Sequence, residues 1–378
     1  MSGSVFQLHE VLPENNKGVV GYTEFDLVDF VCAFNSRKML CNSLRFECDL
    51  RVQSNGADLT EDLDVYLNHK IGGHGLISQI TTEINSVGQI ESINSYPKLV
   101  GMITSATLSN TDLLNGSKSC ELRSPAEKYT KRQILGESFE SREDTATATI
   151  PNAISLKPLF ALNRSQGESD NAISYAKSGN IRISIQFSRV NELLYGADVG
   201  SGLVTYKITN PRLVFTSIAD DGKQDKLQMR VEYNIKTQVN SSLSNLGLKV
   251  PAVCNAVSIM FIKSAHESNP YYDDVAQEML PNVSRCDFNF NNSTNTYVTY
   301  TIRDKVELIS RYLDSLSSSG HNQASLNLLS ANKGFGIGLS FGEFIDLSRQ
   351  AFNVQITSDV VSDDPYTAVF FFHSIASF

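Results

Sequence analysis

Several stretches of this chain alternate apolar and polar residues with a period of two, as a strand with one buried face requires. Leu44, Phe46, Cys48, Leu50 and Val52 interleave with Arg45, Glu47, Asp49 and Arg51. Ile181, Ile183, Ile185 and Phe187 do the same with Arg182, Ser184 and Gln186. So do Val204, Tyr206 and Ile208 with Lys207 and Thr209, and Leu227, Met229, Val231, Tyr233 and Ile235 with Arg230, Glu232 and Lys236. Near the C-terminus, Phe352, Val354 and Ile356 alternate with Asn353, Gln355 and Thr357. The run from Tyr366 to Ile375 breaks this rule, because Val369, Phe370, Phe371 and Phe372 are apolar on both faces. Such a strand calls for cover on both sides, by another sheet or another subunit.

Further strands are read at 20–32, 76–93, 257–262, 284–291, 296–303 and 335–341. Three clean strands in the middle block recur about every twenty residues, which is sheet spacing and not a set of βαβ crossovers. One amphipathic helix stands out. Asp304-Lys305-Val306-Glu307 has the form of a capping box, and Val306, Ile309, Leu313 and Leu316 recur at helical spacing until Ser317-Ser318-Ser319-Gly320. The fold class is therefore all-β and antiparallel, with few helices and long loops.

Composition narrows the class further. The chain has 378 residues, 41% of them hydrophobic, enough for a sizeable core. Its net charge of −9, without a Lys/Arg cluster, argues against direct nucleic-acid binding. No apolar run is long enough to span a membrane, and the first eighteen residues lack the pattern of a signal peptide. Cys32, Cys41, Cys48, Cys120, Cys254 and Cys286 have no paired spacing and are expected to be free, buried thiols. Residues 121–145 mix both charge signs densely and read as a solvated loop or short surface helix.

Candidate chemistry is sparse. Gly334, Gly336 and Gly338 do not have dinucleotide-loop spacing, and glycines inside a strand more often mark close backbone approach. His69 and His74 flank a glycine-rich loop but form no ligand pair at metal-site spacing. Asp363-Asp364-Pro365 is a turn before it is a calcium corner. No catalytic, cofactor-binding or metal-binding residue is assigned, no cofactor is expected, and no enzyme activity is inferred.

Several stretches resemble capsid proteins of the double jelly-roll lineage of DNA viruses. GLISQITTEINSVGQIESINSYPKLVGMI (75–103) is similar to their early strand followed by a "Y-P-x-L" helical start. NIRISIQFSRVNELLYG (180–196) and LVTYKITNPRLVF (203–215) resemble their paired strands closed by "Y-x-I-x-N-P-x-L". The capped helix at Asp304 and the segments GIGLSFGEFIDLS, FNVQITSDV and YTAVFFFHSIASF resemble the end of such a barrel. The resemblance implies a structural capsid protein, with the virophage vertex (penton) proteins as the nearest type in size. It implies a jelly roll with a second, inserted β domain: an arm at 1–18, a discontinuous barrel from 19–114 and 276–378, and the insertion at 115–275. The alternatives are a small double jelly-roll major capsid protein with trimeric capsomers, its barrels at 19–220 and 225–378, or a receptor- or glycan-binding β sandwich. The implied partners are further copies of the chain, as a pentamer, and a neighbouring major capsid protein, with a host receptor as an additional candidate; the implied location is the virion, after assembly in the host cytoplasm or virus factory. Val5, Phe6, Leu8, Val11 and Leu12 of the arm, which either frays or docks on a neighbour, and Phe370, Phe371 and Phe372 of the last strand are the candidate assembly residues.

Overall fold

The computed structural model describes residues 6–377 apart from 61, 109, 114–119, 136–151, 168–170, 223–225, 251, 276, 292–296 and 319–335. Its first part carries β1 (Gln7–Val11), β2 (Leu27–Cys32), β3 (Arg37–Leu40), β4 (Arg45–Ser54), β5 (Ala57–Asp58), β6 (Tyr66–Leu67), β7 (Ile77–Ile84), β8 (Gly88–Ile93), β9 (Asn152–Leu156), β10 (Ser165–Gly167), β11 (Ala172–Ser174), β12 (Ile181–Phe187), β13 (Leu194–Tyr195) and β14 (Val204–Ala219). The second carries β15 (Leu227–Val239), β16 (Leu243–Leu248), β17 (Val253–Lys263), β18 (Arg285–Asn291), β19 (Tyr297–Ile302), β20 (Ile337–Asp346), β21 (Ala351–Thr357) and β22 (Tyr366–Ser377).

These strands make two barrels in succession. In the first, a seven-stranded sheet built on β14 and β4 faces the sheet β2-β12-β7-β8. In the second, the sheet β10-β15-β22-β17-β20 faces β16-β21-β18-β19. All of these pairings are antiparallel, in line with the expected fold class. The discontinuous barrel is not what the registers give. The early strands β2 and β7 pair with β12, and β4 pairs with β14, whereas the last strand β22 pairs with β15 and β17. The middle block is thus divided between the two barrels. Alternation fixes which face of a strand points inward, but every half-buried strand alternates alike, so the pattern does not name its neighbour.

Local chemistry accounts for the irregular points. β14 is sixteen residues long, and its register with β4 slips between Thr209 and Arg212. Asn210 there has φ of 52° and Pro211 has no N–H to give the ladder, so this pair marks a bulge. Asn210 also donates from Nδ2 to Asp49 on β4 at 2.7 Å, fixing the bulge in place. Asn55 and Gly56, both at positive φ, turn β4 into β5.

Two helices lie against the sheets. The Tyr96–Thr107 helix, with Pro97 in its first turn, is buried at ten of its twelve positions, so it sits inside the molecule and not on it. The Lys305–Ser318 helix begins at the expected cap: Asp304 Oδ1 accepts from the N–H of Val306 at 2.6 Å. Its buried side is Leu308, Tyr312, Leu313, Ser315 and Leu316, while Val306 is left exposed. Asp304→Ala should cost about 1 kcal/mol, the usual value of an N-cap, read as a lowered denaturation midpoint with unchanged slope. Gly338 on β20 lies so close to this helix that a Cβ there would meet Ser315 Oγ at 2.2 Å. That is the close approach expected of the strand glycines; Gly334 lies outside the described residues.

Candidate functional site

The two barrels meet at a seam formed by the outer face of the sheet β10-β15-β22-β17-β20. Side chains of β22 alternate between two cores. Ala368, Phe370 and Phe372 belong to the second barrel's core, with Phe372 packed edge-on to Phe352 at 5.6 Å. Val369 and Phe371 belong to the core that runs from the first barrel into the seam, together with Met260, Ile262, Tyr312 and Leu316. The apolar second face of the final strand is thus covered by the first barrel and the Lys305–Ser318 helix. Phe370, Phe371 and Phe372 are all fully buried, so the isolated chain offers none of them to a neighbour. Their expected place at an assembly contact is corrected accordingly. Apolar second faces look the same whether another subunit or the same chain covers them.

Polar residues in the seam are held by one another. Arg164 donates from Nη1 to Glu232 on β15 at 2.5 Å and from Nη2 to Glu91 on β8 at 3.1 Å. All three side chains are at most 5% exposed. The second carboxylate oxygen of Glu232 lies 2.6 Å from His373 Nδ1 on β22, and His373 Nε2 lies 2.7 Å from Ser258 Oγ on β17. Ser258 Oγ is in turn 2.7 Å from Ser315 Oγ of the helix. Glu91 also accepts from the N–H groups of Ala161 and Glu232. A second buried group joins Lys98 to Asp274 at 2.9 Å and to Glu267 at 3.4 Å. A third gathers His74, Tyr96, Glu121 and Arg123, with Tyr96 Oη 2.8 Å from His74 Nδ1 and Arg123 Nε 3.0 Å from Glu121. Glu121 and Arg123 were expected in solvent; they are among the most buried charges of the chain.

Burial and pairing set the ionisation of these groups. Burial pushes the Glu91 carboxyl up to about 7, against the pull of Arg164 and two backbone donors. Glu232 is drawn down to about 2, because His373 and Arg164 together outweigh the same burial. Burial likewise lifts Asp273 to about 6.

Ser258, His373 and Glu232 have the hydrogen-bonding order of a nucleophile, base and acid. Ser258 and His373 are fully buried between β17, β22 and the helix, however, and Ser258 already faces Ser315. Their geometry serves to tie these elements together. A groove of ≈ 870 Å³ between β16 and the turn at Leu347–Arg349 is lined by Leu248, Lys249, Val250, Arg349 and Phe352, without convergent buried polar groups. Among the described residues, no cluster of His, Cys, Asp or Glu has the geometry to hold a metal ion. No helix among them is long and apolar enough to cross a membrane.

The arm is ordered on its own barrel. β1 pairs with β14, Gln7 opposite Ser217 and Val11 opposite Leu213, and His9 stacks on Phe215 at 4.8 Å. Glu14 and Asn15 then bond to the backbone of β2, so the arm closes the gap between the two sheets of the first barrel. Val11 is half-buried against the first core; Phe6, Leu8 and Leu12 are 65%, 71% and 57% exposed. Val5 lies outside the described residues. Val19, Val20, Phe25 and Leu27, which the sequence pattern assigned to a strand, are exposed as well. Their signal was a strand-like composition ahead of β2 without a matching alternation.

No protein-family model and no curated protein sequence matches the chain. Solved structures do. The Faustovirus major capsid protein superposes with a TM-score of 0.64 at 8% identity, covering 100% of this chain and 91% of its own. The chain has a viral capsid jelly-roll fold. A structure of the Sputnik virophage matches with a TM-score of 0.58 at 11% identity, over 98% of this chain and 86% of that one. The PBCV-1 virus capsid matches with a TM-score of 0.57 at 7% identity, over 99% and 95%. Coverage of this extent takes in both barrels and the seam of this capsid-type fold, so the likeness is of the whole two-barrel arrangement.

Proposed function

We propose that this chain is a structural protein of an icosahedral virus shell that acts by self-assembly and resides in the virion. The observation that carries the reading is the end-to-end match of both barrels to viral capsid proteins, two of them from shells with the same two-sheet layers. Within that role, the two successive barrels favour the major capsid protein over the vertex protein, whose expectation rested on one barrel with an inserted domain. Three copies of a two-barrel chain place six barrels around a three-fold axis, a closed ring made from one repeated heterologous contact. Native mass spectrometry at micromolar concentration should give a trimer. A pentamer would restore the vertex reading, and a monomer alone would remove both.

The arm supplies the first contact to test. Clustered exposed apolar side chains on a folded surface mark interaction sites, and Phe6, Leu8, Leu12, Val19 and Val20 follow one another along one edge of the first barrel. Leu8→Ser should weaken assembly roughly tenfold, the effect of about 1.4 kcal/mol, while leaving the melting temperature unchanged, because backbone pairing holds β1 on β14. A variant that melts earlier but assembles as before would assign Leu8 to the protomer alone.

A further inference from the structure

We propose that the buried group Glu91–Arg164–Glu232–His373 is a proton-coupled clasp between the two barrels, which takes up a proton from solvent as the medium turns mildly acidic and thereby tightens the seam. The argument begins from a charge count in a closed space. Two carboxylates share one guanidinium, and the only other basic side chain in contact is an imidazole. With the imidazole neutral, the group carries one uncompensated negative charge among side chains at most 5% exposed. Like charges competing for one partner in a dry site cannot both ionise freely. One added proton, on either Glu91 or His373, brings the group to neutrality.

The clasp spans the elements whose relative placement defines the molecule. Glu91 is on β8 of the first barrel, and Arg164 follows β9 in the segment that leads into β10, which itself pairs with β15. Glu232 and His373 face each other across β15 and β22 of the second barrel. Every charged or titratable group that acts on the carboxylates here is accounted for. Arg230 and Tyr233 approach from β15, Tyr96 from its helix, and Cys254 from β17. None of these supplies a second cation in contact with Glu91.

The direction of the effect follows from which oxygen lacks a partner. Glu232 is engaged on both oxygens by Arg164 and His373, so it stays ionised. Glu91 shares the same guanidinium at longer range and is the carboxyl that burial lifts to about 7 from 4.5. A folded state that holds a proton more tightly than the unfolded chain gains stability as pH falls. That contribution is complete below the unfolded value of 4.5 and is lost as pH rises through about 7. Acid therefore consolidates the seam until Glu232 itself protonates, near 2.

The test uses the full-length protein at about pH 8 and about pH 5.5, bracketing the transition. Amide exchange of β8 and β15, corrected for its intrinsic pH dependence, should slow roughly tenfold at the lower pH, the effect of one unit of pKa difference. Difference infrared spectra should gain the carbonyl stretch of a protonated carboxyl. Glu91→Gln, nearly isosteric and permanently neutral, should give slow seam exchange at both pH values and lose that infrared band. Asp273→Asn controls for the other lifted carboxyl and should leave the seam's pH response intact. A wild-type seam that exchanges equally at both pH values, or faster in acid, would overturn the clasp. So would a Glu91→Gln variant that keeps the wild-type pH dependence.

Discussion

Arg164→Met should cost about 3–5 kcal/mol of folding stability, the loss expected when one partner is removed from a buried ion pair. The magnitude comes from what is left behind. Glu91 and Glu232, with side chains 0% and 1% exposed, would lose the guanidinium that both contact. Methionine fills the volume of the arginine stem but offers nothing to two carboxylates. Guanidinium denaturation should show the loss as a lowered midpoint. The prediction has a second arm that separates charge from packing. Adding Glu91→Gln and Glu232→Gln to the methionine variant removes the stranded charges and should recover most of the stability, because neutral groups of similar volume often replace a buried pair at little cost. Arg164→Lys should fall between the two, since one ammonium cannot reach both carboxylates in the geometry of the planar fork. A loss below about 1 kcal/mol in the single variant would mean that water reaches the seam and solvates the carboxylates.

This seam marks the boundary of what the chain's pattern discloses. The alternation of Phe46, Cys48, Leu50 and Val52 with charged residues names β4 correctly, and the exposed polar face of that strand behaves as periodicity says. The same logic places Glu232, between Val231 and Tyr233, on a solvated face. It is buried, because the other face of β15 is covered by a second layer that only tertiary structure brings there. Glu91, Glu121 and Arg123 fail in the same way. A charge whose partner lies seventy or more residues away, as Glu91 and Arg164 do, leaves no local trace in either segment. The opposite error occurs at Val19, Val20 and Phe25, where strand-like composition belongs to an exposed connection. The last strand was the exception. Its two apolar faces announced two coverings before either was known, because no solvated strand carries Val369 and Phe371 opposite Phe370 and Phe372.

That dual role gives the second large effect. Phe371→Ala and Phe372→Ala should each cost about 3–5 kcal/mol, the range for truncating a fully buried phenylalanine. Both side chains have 0% exposure and neighbour each other on one strand, yet they point into different cores. The cavity left by Phe372→Ala opens between the sheets of the second barrel, beside Phe352 and Phe370. Amide exchange should therefore accelerate in β18 and β21. The cavity left by Phe371→Ala opens on the seam, among Met260, Val369 and Tyr312. Exchange should accelerate in the Tyr96–Thr107 and Lys305–Ser318 helices and in β8, while β18 and β21 stay protected. Equal losses of stability with different footprints would mean that the strand serves as the floor of one barrel and the wall of the other. If both variants loosen the same set of amides, the two cores unfold as one unit, and the seam is no boundary in the energetics of the chain. In that case the coupling between barrels is as strong as the packing within them, and a shell built from this protein would deform as rigid two-barrel bodies with all compliance left to the contacts between copies.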